Sequence, residues 1–198
     1  MLVFAKEKLV FLAMPKTGTT ALESALAPRA DMAIRNPPIL KHTPAYRYNR
    51  FLKPYLGKCG LENMEVVCVV RHPIGWLGSW YRYRQRPAVD GKSHSTKNIT
   101  FDAFVDEYAK SDPGSWAHVG NPSKFLRRGN GEVMVDHLFQ YEQFGKVVAF
   151  MEERLGIEIE LKQRNVSPDG DLTISRQTEN KLMRKKPEMY ADWEMAKR

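Results

Sequence analysis

Cysteine is nearly missing from this chain. Cys59 and Cys68 are the only two in 198 residues, too few for a disulfide framework or a four-ligand zinc site. Cys68 lies inside MEVVCVV, which reads as a buried strand, so both thiols are expected to be reduced and inert. Long apolar runs are missing too: no stretch approaches the roughly 20 consecutive apolar residues of a membrane span. The first residues lack the charged, apolar, small order of a signal peptide. A cytoplasmic protein with no transmembrane segment is the expectation. Internal repeats and low-complexity tracts are absent. Acid is in short supply, with 23 Asp and Glu against 31 Lys and Arg, a net charge of +8. A field of that sign attracts nucleotides, acidic glycans, nucleic acid or anionic lipid, and does not choose among them.

What is present suits one domain spanning 1–198, with 42% hydrophobic residues to build its core. Strand-like runs alternate with helical periodicity, which predicts an α/β fold with a mainly parallel central sheet flanked by helices. A first strand is expected over 8–14 (KLVFLAM), then a helix from Thr19 to Pro28. The Pro- and Tyr/Arg-rich block 31–58 predicts a short strand at 39–41 and a helix around 46–55. MEVVCVV, 64–70, is apolar throughout, as a central strand covered on both faces would be. A helix over 74–86 follows, then a polar loop over 86–99. Phe101, Phe104, Val105 and Tyr108 mark one face of a helix capped by Thr100. A third core strand is expected within 132–142, and after it Phe144, Val147, Val148, Met151 and Leu155 line a helix closed by Gly156. The tail from 175 reads as basic and helical, anchored by Tyr190 and Trp193.

The stretch FLAMPKTGTTALESAL, 11–26, runs from a strand through a glycine turn into a helix. Such a turn points several backbone N–H groups at one spot, where the helix dipole adds partial positive charge. Lys16 adds a full charge, Gly18 permits close approach of the backbone, and Thr19 and Thr20 bring hydroxyls beside the first free amides. Each suits an anion such as phosphate or sulfate. In the P-loop of nucleotide kinases the lysine follows the last glycine and is itself followed by a magnesium-binding hydroxyl. Neither holds here.

PKTGTT, Pro15 to Thr20, resembles instead the 5′-phosphosulfate loop of the sulfotransferases that use 3′-phosphoadenosine 5′-phosphosulfate (PAPS), of the carbohydrate and bacterial types. In that family an Arg ending a later strand and a Ser eight residues on bind the 3′-phosphate. Arg71 closes VVCVV here, and Ser79 follows at that interval. Pro73 starts the helix without needing its missing N–H, and Ser79 lies about two turns in, on the face of Gly75. QYEQFGKVVAFMEERLGI, RNVS at 164–167 and EMYADWE at 188–194 also resemble family segments. The likeness thus covers roughly 8–194. The chain departs from it at Ala21, where animal cytosolic members often carry Trp, and its Arg127-Arg128-Gly129 run comes too early for their C-terminal phosphate segment. Arg164 is the candidate substitute, and Tyr141 stands where the family often contributes a nucleotide contact.

The resemblance implies a P-loop-NTPase-like sulfotransferase fold and transfer of a sulfuryl group from PAPS to an acceptor hydroxyl or amine, leaving 3′,5′-adenosine bisphosphate, with no metal required. Pro15, Lys16, Thr17, Gly18, Thr19, Thr20, Arg71, Ser79, Tyr141 and Arg164 would bind the cofactor, and Lys16 would stabilise charge growing on the leaving oxygen. Among five histidines His42 is the candidate base, with Glu23 and His94 behind it. The acceptor is read as a glycan, lipid or small molecule; an acidic glycan or lipid suits the charge, and 31–58, 86–99 and 110–128 are the segments left to recognise it. Trp76, Leu77, Trp80 and Tyr81 read as core. The rival readings are a P-loop-type kinase, which lacks its motif here, and a non-catalytic anion- or nucleic-acid-binding module, which YRYNR and WYRYRQR would serve.

Overall fold

In the computed structural model, which describes residues 1–161 and 171–196, the chain opens with a tight hairpin. Strand β1 (Leu2–Phe4) pairs antiparallel with β2 (Leu9–Leu12), placing Leu2 opposite Phe11. The helix α1 (Thr19–Leu26) leads to β3 (Met32–Ala33), which joins the free edge of β1, again antiparallel. β4 (Glu65–Val70) and β5 (His137–Gln140) extend the other edge in parallel, giving the order β3-β1-β2-β4-β5 among the described residues. The domain is α/β, but its sheet is mixed, not mainly parallel as expected. The extra hairpin escaped the sequence reading because LVF is too short for any period to register, even though all three side chains are buried.

Alternate residues of the strands feed two apolar layers, as a period of two requires. Val10, Leu12, Cys68 and Val70 pack under a helical segment with Ala45, Tyr48 and Leu56. That segment comprises α2 (Pro38–Lys41), α3 (Ala45–Arg47), a π-helical turn over Tyr48–Leu52 and α4 (Lys53–Lys58). Residues 39–41, expected as a strand, are therefore helical: Pro38 sits at the first helical position, where its fixed φ suits a helix and its missing N–H costs nothing. On the opposite face Leu9, Phe11, Val67 and Val69 meet Leu22 and Leu26 of α1 and Val147 and Met151 of α8 (Phe144–Leu155). Burial pushes the Cys68 thiol up to about 12, which keeps it unreactive; Cys59 is exposed.

A third cluster forms beside the sheet. Trp76, Leu77 and Tyr81 of α5 (Pro73–Arg84) pack on Phe101, Phe104 and Tyr108 of α6 (Phe101–Tyr108) and on Leu182. Thr100 caps α6 as expected, its hydroxyl accepting from the Ala103 amide at 3.2 Å. After α7 (Ser123–Leu126), the tail forms α9 (Arg176–Lys185) and α10 (Pro187–Met195). Tyr190 and Trp193 of α10 set their ring edges against His72, which docks the tail at the carboxyl ends of β4 and β5. Among the described residues no helix is long and apolar enough to cross a membrane.

Candidate functional site

The glycine turn is braced before it is available to any ligand. Thr17, fully buried, donates its hydroxyl to the Met14 carbonyl at 2.9 Å, so this side chain closes the loop on itself. The Trp76 indole N–H donates to the Pro15 carbonyl at 3.0 Å and ties the loop to α5. Lys16 and Gly18 both hold left-handed backbone, at φ 66° and 68°. For a lysine that conformation costs on the order of 1 kcal/mol, a strain the surrounding bonds impose. Gly18 is the N-cap of α1 and has no side chain to cover the first amides. Thr19 is buried and Thr20 half-buried just beyond it.

Three strand ends converge here. Arg71, leaving β4, donates from Nη1 to the Lys16 carbonyl at 3.4 Å, and its guanidinium carbon lies 4.2 Å from the centre of the Tyr141 ring. Tyr141, leaving β5, in turn covers Gly18 so closely that a Cβ there would stand 2.5 Å from its Cε2. The glycine thus makes room for a ring as well as for backbone approach. Gly75 does the same for Arg71: a Cβ on it would lie 3.1 Å from Arg71 Nε. Ser79, buried, stands one turn farther along that face of α5. Arg71 Nε is buried and has no hydrogen-bond partner among the described residues. Burial lowers the pKa of this guanidinium from its ordinary value, with Tyr141 and Glu142 opposing the shift. An anion bound at this point would relieve both conditions.

Lys16 turns its ammonium onto α5, 3.5 Å from the centre of the Tyr83 ring and 4.6 Å from that of Trp80. Burial, then Arg86 and Arg84, push its pKa from 10.5 down to about 7, while the two ring faces act in the other direction by favouring the cation. Among the described residues neither Lys16 nor Arg71 is in an ion pair. Arg84 is spent on structure, donating to the Ser115 and His118 carbonyls at 2.9 and 2.8 Å.

Of the candidate bases, His42 is hydrogen-bonded at the root of the loop. Its Nδ1 lies 2.7 Å from the Ala13 carbonyl, which only accepts, so Nδ1 carries the proton and Nε2 keeps its lone pair. Burial lowers the pKa of the ring, which favours this neutral form at pH 7. Glu23 is buried in two ion pairs, 3.2 Å from the Met1 amine and 3.0 Å from Lys41 Nζ, and is thereby occupied. His137 is bonded to Glu65 at the far end of β5, and His94 sits in the polar 86–99 loop. Arg164 lies outside the described residues. Of the early Arg-Arg-Gly run, Arg127 is bound to Asp192 of α10.

Trp80, Tyr83 and Glu142 play parts here that the sequence alone does not reveal. Trp80 lies against the Lys16 ammonium as well as the core, and its i, i+3 spacing to Tyr83 is that of a core face, which carries no signal for the cation. Glu142 joins the mouth of the site to the tail, accepting from the His72 amide and the Trp193 indole, both at 2.9 Å. Among the described residues no group of three or more His, Cys, Asp and Glu side chains is placed to hold a metal ion. No family model, curated protein or solved structure matches the chain.

Proposed function

We propose that the chain is a PAPS-dependent sulfotransferase on a P-loop-like variant of the α/β fold. The carrying observation is the meeting of Arg71 with the backbone of Lys16, bridged by the Tyr141 ring that touches both loops. Two cationic strand ends brought together at the Lys16 backbone suit a single ligand with negative charge at both ends. The unpartnered Nε of Arg71 and the uncapped amides after Gly18 fit phosphate-type oxygens.

PAPS supplies the sulfuryl group and a phosphate leaving group. Arg71, with Ser79 one turn beyond Gly75, would hold the 3′-phosphate, and the energy of that contact would go into orientation. The loop amides and Lys16 would stabilise negative charge at the opposite end, Lys16 moving off the Tyr83 ring to do so. His42 Nε2 would take the proton of the acceptor hydroxyl or amine as its oxygen or nitrogen bonds to sulfur. Titration calorimetry without magnesium tests the reading. 3′,5′-Adenosine bisphosphate should bind far more tightly than ATP, and Arg71→Ala should erase the difference; His42→Ala should keep this binding and lose transfer. Equal affinity of the unaltered chain for both nucleotides would overturn the assignment.

A further inference from the structure

Away from that mouth, the helical segment over 38–58 presents an unusual surface. Residues 32–61 contain six Lys or Arg and not one Asp or Glu. Nine large apolar side chains are exposed among the described residues, and five lie in this segment: Phe51 (65%), Ile39 (61%), Tyr55 (57%), Leu40 (49%) and Tyr46 (40%). The outward setting of Tyr46, Phe51 and Tyr55 is fixed from beneath, because Ala45, Tyr48 and Leu56 are locked into the core. Cation and ring stand side by side. The Arg50 guanidinium lies 5.2 Å from the centre of the Phe51 ring, and that of Arg47 5.8 Å from the Tyr46 ring. A groove of about 1110 Å³ next to Tyr46 and Arg50 is also lined by Lys124, Arg128 and Glu188, with Arg128 3.7 Å from Glu132.

We infer that this segment docks on an anionic lipid bilayer, with Phe51, Ile39, Leu40 and Tyr55 entering the headgroup and acyl boundary while Arg47, Arg50, Lys53 and Lys58 meet lipid phosphates. Charge complementarity names the occupant. A second copy of this chain would bring like charges face to face across a symmetric contact. Single-stranded nucleic acid would reward the flat rings by stacking, but gains nothing from Ile39 and Leu40. An anionic bilayer rewards both kinds of residue, through apolar insertion and through the surface potential. The inference is independent of the proposed catalytic reading.

Flotation of the whole chain with vesicles tests it. Vesicles of phosphatidylcholine with phosphatidylserine should carry the protein up the gradient, and phosphatidylcholine alone should not. Arg50→Gln and Lys53→Gln should each weaken binding roughly fivefold, the effect of one interfacial cation. The pair Ile39→Ser and Phe51→Ser, which leaves charge unchanged, should weaken it by roughly tenfold. These side chains are exposed, so far-UV circular dichroism should match that of the parent chain. Three outcomes overturn the inference: no flotation with acidic vesicles; flotation insensitive to Ile39→Ser and Phe51→Ser, which means charge adsorption only; or a dimer on size exclusion that those two changes dissolve.

Discussion

The two ends of the parallel strands are built on opposite electrostatic plans. At the amino end Glu65 of β4 accepts from Arg154 at 2.9 and 3.0 Å and lies 2.5 Å from His137 Nε2, while Arg154 also donates to the Glu7 carbonyl. Glu65 and Arg154 pair with each other there, and Arg154, then His137, pull the Glu65 carboxyl down to about 2. At the carboxyl end Lys16 and Arg71 lie against the faces of Tyr83, Trp80 and Tyr141 in place of carboxylates. The first arrangement is closed and serves stability. The second leaves two partly buried cations without an ion pair among the described residues, with Glu142 as the carboxylate that acts on Arg71; on the proposed function a ligand would supply the remaining charge at this end of the strands.

Lys16→Met should break the open end most severely. Removing one donor from a charge-stabilising site lowers turnover about 100- to 1000-fold, measured with labelled PAPS and a competent acceptor. The same variant separates binding from folding. Because burial lowers the Lys16 pKa from 10.5 to about 7, the folded chain holds fewer protons than the unfolded chain between those values. Stability should therefore rise as pH goes from about 7 to about 10.5, and that rise should shrink in Lys16→Met. Urea titrations across the range give the slope. An unchanged slope would mean that the Tyr83 and Trp80 faces fully offset the cost of burying the ammonium.

Gly18→Ala comes next, because it strikes the brace of the open end. Its Cβ would meet Tyr141 at 2.5 Å and its backbone holds φ +68°. The two penalties together should cost about 2 kcal/mol, a fall in Tm of roughly 4–8 °C for a domain of this size, with nucleotide binding weakened as Tyr141 is displaced.

Much of that open end is readable from residues alone. Strand, glycine turn and helix follow one another in MPKTGTT, and the positions of Lys16 and Arg71 follow from the strands they terminate. Helix faces and caps are equally local, as Thr100 and Gly156 show. What escaped depends on tertiary neighbours or on very short elements. LVF and ILK are runs too brief to carry a period, so β1 leaves no pattern and 39–41 suits a strand as well as the helix it forms. The aromatic face of α5 has the spacing of a core helix, and nothing in that spacing tells whether the facing group is a leucine or an ammonium. The tautomer of His42 is set by the Ala13 carbonyl, 29 residues away in the chain.

At the closed end the effects should be smaller. Glu65 has a folded pKa of about 2 against an ordinary value of 4.5, so its stabilisation is complete above about pH 4.5 and is lost as pH falls through about 2. The side chain is 41% exposed, and solvent screening holds the expected contribution to about 1 kcal/mol. Glu65→Gln should lower stability at pH 7 by that amount and flatten the acid limb of the stability profile between those pH values. Nucleotide affinity should stay as it is, since the change lies at the far end of β4.

Gly75→Ala is the finest test of the comparison, because it should move binding and stability in opposite directions. An alanine in a helix interior gains up to about 1 kcal/mol over glycine, and nothing in the backbone of α5 resists it. Its Cβ, however, would stand 3.1 Å from Arg71 Nε and 3.8 Å from Glu142 Oε1, so the guanidinium must give by a few tenths of an ångström. Among the described residues Arg71 is held by the Tyr141 face, a long bond to the Lys16 carbonyl and the attraction of Glu142, and it yields more readily than the helix does. Thermal unfolding should therefore show equal or higher stability, while calorimetry with 3′,5′-adenosine bisphosphate should show a few-fold loss of affinity. Lower stability with intact affinity would mean that Arg71 belongs to the scaffold, and the open end would then be closed like the other.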